Sequence, residues 1–222
     1  MSDKSKRCGF INNQFVEGTG VVFDVENPSS GEVIATLQGV TINQVESAIV
    51  AAREAYDCGT WRGLSAAERI AYLQRFADAL HKRSAALGEA VFSETGCPKF
   101  TPIMHAQVNT PLAQIKGILD LYRSLPALEE NPLPLSERIT AMGQAVQSLR
   151  RYTPIGVVAA IAAYNMPFYT AMWKVLPALI TGNTIVLRPN PLTPLNAMYF
   201  AEAALEAELP PGVLNVVVES GA

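Results

Sequence analysis

Apolar positions are spaced in three different ways along this chain, and each spacing predicts a different kind of element. Up to residue 40, short apolar runs alternate with turn residues, as in FINNQF and GVVFDVENPSSGEVIATLQGV. The NPSSG cluster between two β-rich runs predicts a loop joining strands. Between residues 41 and 124 the spacing becomes helical. Thr41 with Gln44, and Ser65 with Glu68, are separated as capping boxes require. The first opens a helix with Val45, Ala48, Ile49, Ala52 and Tyr56 on one face, and the second opens a helix that buries Ile70, Leu73, Phe76, Ala77 and Leu80. A shorter helix carries Leu87, Val91 and Glu94 and stops at Gly96, and residues 102–124 read as helical with a break near Pro111.

The segment LEENPLPLSE has the proline and acid content of a surface loop, and RITAMGQAVQSLRRYTP reads as extended or as a hairpin about Gly143. Beyond it the third spacing begins. GVVAAIAA is a continuous apolar run, as expected of a parallel strand covered on both faces. Pro167 suits the first turn of a helix that ends at Gly182, and TIVLR, 184–188, is the next strand. Thr193 and Pro194 open another helix with Leu195, Met198, Tyr199 and Leu205 inward, before a third strand in GVLNVVV, 212–218. Strand, helix, strand, helix, strand with short connections is half of a doubly wound α/β sheet, and right-handed crossovers make its strands parallel.

Composition narrows the classes. The chain has 222 residues, 49% hydrophobic and 17% charged, with net charge −3. That balance describes a globular protein without the basic surface nucleic acid demands. The start MSDKSKRCGF has charge but no apolar core behind it, so a signal peptide is not expected. No apolar run reaches membrane-span length without Pro, Asn or a charge. Three scattered cysteines, Cys8, Cys58 and Cys97, predict reduced thiols and a cytoplasmic protein. His81 and His105 have no partner at ligand spacing, so no metal site is expected.

Ligands of open α/β sheets bind outside the carboxyl ends of the strands. Asn165 follows the first parallel strand, Arg188 closes the second and ESGA follows the third, so all three belong to one edge. Neither G-x-G-x-x-G after the first strand nor a P-loop is present. Asn165 is also well placed to cap a proline-started helix, and that alternative has equal standing. Lys174 reads from its position as a core-edge lysine whose head reaches solvent. Arg188 reads as a phosphate anchor or as a surface strand-end cation.

PIGVVAAIAAYNMPF, WKVLPALITGNTIVLRPNPLTP and LPPGVLNVV closely resemble the NAD(P)-dependent aldehyde dehydrogenases. NPSSGEVIATL, the ETG at 94–96 and WRGLSAAERIAYLQRFADAL resemble the amino-terminal part of the same family. The resemblance implies a Rossmann-like cofactor-binding fold that stops before the catalytic domain. It divides the chain into amino-terminal strands and a helical layer (1–135), an extended oligomerisation segment (136–153) and a βαβαβ dinucleotide-binding half (154–222). It implies NAD or NADP as cofactor, an aldehyde as substrate, a carboxylic acid as product, and a homodimer or homotetramer. The family's role for the residue matching Asn165 is donation to an oxyanion, a task for a neutral preorganised donor. The residue matching Lys174 is implicated in proton handling, and the one matching Arg188 in contacting the adenosine ribose or its 2′-phosphate. Cofactor contacts carry over to Ile161, Ala162, Ala163, Tyr164, Asn165, Asn190 and Pro191. Tyr164 stands where relatives usually have Trp, Ala163 where they have Pro, and Pro191 where NAD-preferring members often have Glu.

Arg188 with Pro191 therefore predicts that NADP is tolerated as well as NAD. The family's nucleophilic cysteine and general-base glutamate match nothing here, and Cys8, Cys58 and Cys97 are not the nucleophile. The chain by itself is expected to oxidise no aldehyde and to bind dinucleotide weakly or not at all. It is also expected to expose an open edge after the third parallel strand. Two alternatives remain: an inactive binding or oligomerisation module, and an acyl-reducing member of the superfamily.

Overall fold

Both capping boxes form in the computed structural model, which describes residues 7–99, 102 and 105–221. Thr41 Oγ1 accepts from the Gln44 amide while Gln44 Oε1 accepts from the Thr41 amide at 3.0 Å, opening α1 (Ile42–Asp57). Ser65 and Glu68 do the same for α2 (Ala66–Lys82). These reciprocal bonds satisfy amide donors that the first helical turn leaves unpaired. The third helix, α3 (Ser84–Thr95), ends where Gly96 takes φ +64°, a left-handed cap that glycine adopts without a Cβ clash. Residues His105–Asn109 form a π-helical turn, and α4 (Thr110–Ser124) starts after it with Pro111 in its first turn. Pro111 therefore opens a helix rather than breaking one, because the first turn has no use for its missing N–H. Residues 103 and 104 of the expected 102–124 helix lie outside the described residues.

The amino-terminal region makes two hairpins. One joins β1 (Arg7–Ile11) to β2 (Gln14–Glu17) through Asn12 and Asn13, at φ 51° and 61°. Asparagine tolerates this left-handed pair, which suits the twist of a two-residue hairpin. The other joins β3 (Val22–Asn27) to β4 (Glu32–Gln38) across the expected NPSSG loop. A small exposed hairpin pairs β5 (Glu129–Glu130) with β6 (Leu149–Arg150), and within it Ile139 bridges Ala145 about Gly143.

Three strands, β7 (Val157–Ile161), β8 (Thr184–Arg188) and β9 (Leu214–Val217), are parallel neighbours, linked by α5 (Pro167–Ile180) and α6 (Met198–Glu206). The full sheet has five strands in the order β2-β1-β9-β8-β7, with β1 antiparallel to β9. The open edge expected after the third parallel strand is therefore occupied. Asn215 explains the docking: this buried amide accepts from Asn12 N at 3.0 Å and donates to Gly212 O at 2.8 Å. Pairing with β1 satisfies β9 groups that an edge would leave to water.

Alternate residues of each strand face opposite ways. Ala160, Ile185, Leu187, Leu214 and Val216 are buried in the main core, where Phe168 and Phe200 meet at 5.1 Å. On the other face Thr184 Oγ1 donates to Ala52 O of α1 at 2.8 Å. The α5 C-terminus is tied down by two side chains. Trp61 Nε1 donates to Leu179 O and Arg69 Nε to Ile180 O, each at 2.9 Å. Two residues expected to point inward do not: Ile49 and Leu205 are 47% and 39% exposed. Three alanines and Tyr56 carry the buried stripe of α1, which leaves Ile49 free to face outward beside the sheet.

Candidate functional site

A cleft of about 780 Å³ opens where the parallel strands end. Its floor is the sheet face carrying Val157, Ala159, Ile161, Val186 and Val217, and its wall is the first half of α1 with Thr41, Ile42, Val45 and Ile49. Because α1 runs against the strands, its last turns cover Thr184 while its amino end stands clear of the sheet. The strand register puts Ile161 beside Arg188. Val217 continues the same row, since Leu187 pairs with Val216.

Arg188 and Glu219 are the charged residues among those lining the cleft. They form an ion pair, with side chains 36% and 21% exposed. The second carboxylate oxygen of Glu219 accepts from the Gly221 amide at 2.7 Å. The segment before α1 approaches closely from behind. A Cβ on Gly39 would stand 3.1 Å from Glu219 Cα, and Val40 N donates to Val218 O at 2.8 Å. Sequence reasoning took Arg188 as a phosphate anchor or a surface strand-end cation, whereas the fold brings a carboxylate against it from just past the next strand. The only signal was the ESGA that follows the third strand, because the partners lie 31 positions apart.

The remaining candidates are distributed around this edge. Ala162 is buried and donates its amide to Arg188 O at 3.0 Å. Ala163 N donates to Thr170 Oγ1 at 3.2 Å, and Tyr164 is exposed. Asn165 is exposed, and its side chain makes no hydrogen bond among the described residues. The residue that caps α5 is Met166, without a side-chain cap bond, so Asn165 does not serve as the helix cap. Lys174 is exposed on α5 and has no hydrogen bond or ion pair among the described residues. Asn190 spends its Oδ1 on Leu192 N at 3.0 Å, a local turn bond. Pro191 packs where a Cβ on Gly221 would come within 3.0 Å, joining the loops after β8 and β9. Ile161 and Arg188 line the cleft itself, whereas Ala162 to Asn165, Lys174, Asn190 and Pro191 lie outside its lining.

Sequence reasoning also missed Gln107. This residue is buried, and its Nε2 donates to Asn165 O at 2.8 Å, holding the backbone just before α5. Nothing in its neighbourhood in the chain distinguishes it, since it acts across 58 positions.

The thiols lie elsewhere. Cys8 is buried on β1, and desolvation pushes its thiol up to about 11. Cys58 caps the far end of α1 from the cleft, and its exposed thiol is lowered by a hydrogen bond with Thr60. Cys97 lines a separate hollow with Ser29, Gly96 and Lys99, which shares no residue with the strand-end cleft.

Comparison with known proteins places this geometry. The model of the "Aldehyde dehydrogenase family" matches residues 15–222. Betaine aldehyde dehydrogenase from Staphylococcus aureus, solved with NAD+, is 28% identical with a TM-score of 0.85 over 98% of this chain and 42% of its own. An aldehyde dehydrogenase C variant from Pseudomonas syringae, solved with NAD+ and octanal, is 28% identical with a TM-score of 0.83 over 99% of this chain and 42% of its own. Gamma-glutamyl-gamma-aminobutyraldehyde dehydrogenase from Burkholderia cenocepacia is 30% identical with a TM-score of 0.84 over 97% of this chain and 42% of its own. This chain thus spans well under half the length of those structures. The family match runs through every strand and loop that shapes the cleft, and the chain belongs to the aldehyde dehydrogenase family.

Proposed function

We propose that this chain is the cofactor-binding part of an NAD(P)-dependent enzyme that oxidises an aldehyde to a carboxylic acid. The observation that carries the reading is Asn165, an exposed amide at the carboxyl end of a parallel strand, not consumed in capping the helix it precedes. A neutral donor fixed in place is what a developing alkoxide requires, because it need not reorganise when charge appears. Gln107 restrains the Asn165 carbonyl from a buried position, which limits the freedom of the backbone that carries the amide.

The cleft suits a dinucleotide. Small apolar side chains on the sheet offer a flat floor for a base, and Arg188, Glu219 and Thr41 supply polar groups at the rim. In this reading Ile161, Arg188 and Glu219 hold the adenosine end, while Ala162 to Asn165 and Lys174 face the reacting end. When bound, the nicotinamide supplies the hydride acceptor. What the chain's own residues do is bind, orient and stabilise: the Asn165 amide donates to the aldehyde oxygen as negative charge builds on it. Covalent attack also needs a thiolate and a base beside that oxygen. Burial of Cys8, the distal position of Cys58 and the separate hollow of Cys97 support assigning the thiolate to none of these three residues. The exposed hairpin within 136–153 is proposed as the oligomerisation segment, 1–135 as the amino-terminal strands and helical layer, and 154–222 as the dinucleotide-binding half.

Calorimetric titration of the purified chain with NAD+, beside an assay of NADH formation with octanal, tests the reading. Because β1 covers the edge of β9 that was expected to lie open, the expected result narrows to weak, saturable binding, with no NADH above a blank. An absence of saturable binding, or turnover abolished by replacing Cys8, Cys58 or Cys97, would overturn it.

A further inference from the structure

We infer that Glu219 is a specificity residue of the cleft, whose carboxylate engages Arg188 and selects an unphosphorylated ribose over a 2′-phosphorylated one. The inference rests on the dinucleotide reading above and reverses the expectation, drawn from Arg188 and Pro191, that NADP is tolerated as well as NAD.

Arg188 is the cation and Glu219 the anion of the cleft lining, and each neutralises the other. A 2′-phosphate seeking the guanidinium would have to displace the carboxylate and then lie beside it as a like charge. A ribose diol has no such conflict. Its hydroxyls donate to a carboxylate oxygen and accept from a guanidinium N–H, so the ion pair stays intact. Glu219 is also poorly placed to withdraw. One of its oxygens accepts from Gly221 N at 2.7 Å, its backbone is backed closely by Gly39, and Pro191 abuts the glycine that follows. The carboxylate that position 191 lacks is thus supplied from the next strand end. Parallel pairing ends β8 and β9 side by side, and the segment just past β9 carries Glu219 to Arg188.

Calorimetric titration of the 222-residue chain with NAD+ and NADP+, which differ only in the 2′-phosphate, reads the effect directly. The chain should bind NAD+ roughly tenfold or more tightly than NADP+, since like charges set side by side discriminate strongly. Glu219→Gln keeps an acceptor for Gly221 N and so preserves the turn. It should strengthen NADP+ binding by about tenfold and weaken NAD+ binding a few-fold. Adding Arg188→Gln to that variant should abolish the gain, and Glu219→Asp, which keeps the charge, should retain the preference for NAD+. Equal affinity in the unaltered chain, or an unchanged ratio in Glu219→Gln with an unchanged melting temperature, overturns the role of Glu219 alone. Failure of every variant to bind NAD+, NADP+ or AMP removes the nucleotide reading and this inference with it.

Discussion

Asn165 and Glu94 show opposite uses of a polar side chain near the same sheet edge. Asn165 is exposed with its amide unspent, so its removal should be felt in chemistry and not in folding. In an enzyme containing this chain, Asn165→Ala should lower turnover by about 10² to 10³, the usual loss for one oxyanion donor. Cofactor affinity and melting temperature should hold; a stable turnover number with a lowered melting temperature would show a structural role instead. Glu94 is fully enclosed, and its carboxylate accepts from Leu195 N at 2.7 Å and Asn196 N at 3.1 Å, pinning the turn before α6. Burial pushes this carboxyl up to about 7, although those bonds pull it down. The folded state therefore holds the proton more tightly than the unfolded chain, whose carboxyl titrates near 4.5. Its stabilising contribution is complete below that pH and is lost as pH rises towards 7, on the order of 3 kcal/mol in all. Urea unfolding from pH 4.5 to 7.5 should show the chain losing stability relative to Glu94→Gln across this window. Parallel curves would refute the assignment.

At the scale of elements, helix starts rest on local chemistry and the sheet on distant partners. Ser65 and Glu68 close their box within three residues, so α2 begins where its own sequence says it must. The β1–β2 hairpin joins β9 across some 200 positions, through Asn215 and through Val218 N donating to Cys8 O at 2.9 Å. Asn215→Leu would strip Asn12 N and Gly212 O of their partner inside the fold. A loss of about 1–3 kcal/mol is expected, chiefly from the buried Gly212 O left unsatisfied, since the Asn12 amide is partly open to water. Hydrogen exchange should quicken first at the amides of β1 and Val218, ahead of global unfolding. Unchanged protection there would mean that apolar packing alone docks the hairpin.

At the scale of the whole molecule, the β5–β6 hairpin region carries several of the most exposed large apolar side chains among the described residues. Leu135, Ile139, Met142 and Tyr152 are between 61% and 84% exposed there. Isolated apolar side chains on a surface are ordinary, but a contiguous group marks a contact surface. A dimer or tetramer is expected for an enzyme built on this chain, with this hairpin against a neighbouring subunit. Sedimentation at micromolar concentration should show the assembly, and Ile139→Glu with Met142→Glu should dissociate it without lowering the stability of the subunit. A monomer before substitution would count against the hairpin as an interface.

The order of the helices, both capping boxes, the parallel run of β7, β8 and β9 and the shared edge of Asn165 and Arg188 were legible in the sequence. Each depends on spacing within a few residues, or on the handedness of a strand–helix–strand connection. Three things were decided only by the tertiary structure. Asn165 competes for two roles in sequence, and the cap falls on Met166 because of where the backbone turns into α5. The third parallel strand borrows its outer neighbour from the amino terminus, since a buried amide on β9 matches a hairpin turn no local pattern connects to it. Arg188 meets Glu219 because neighbouring parallel strands end side by side, although an α-helix separates them in the chain. Local spacing sets which element forms, because turns and caps are satisfied within reach of their own residues. Which charge faces which ligand depends on groups that become neighbours only after the sheet has assembled.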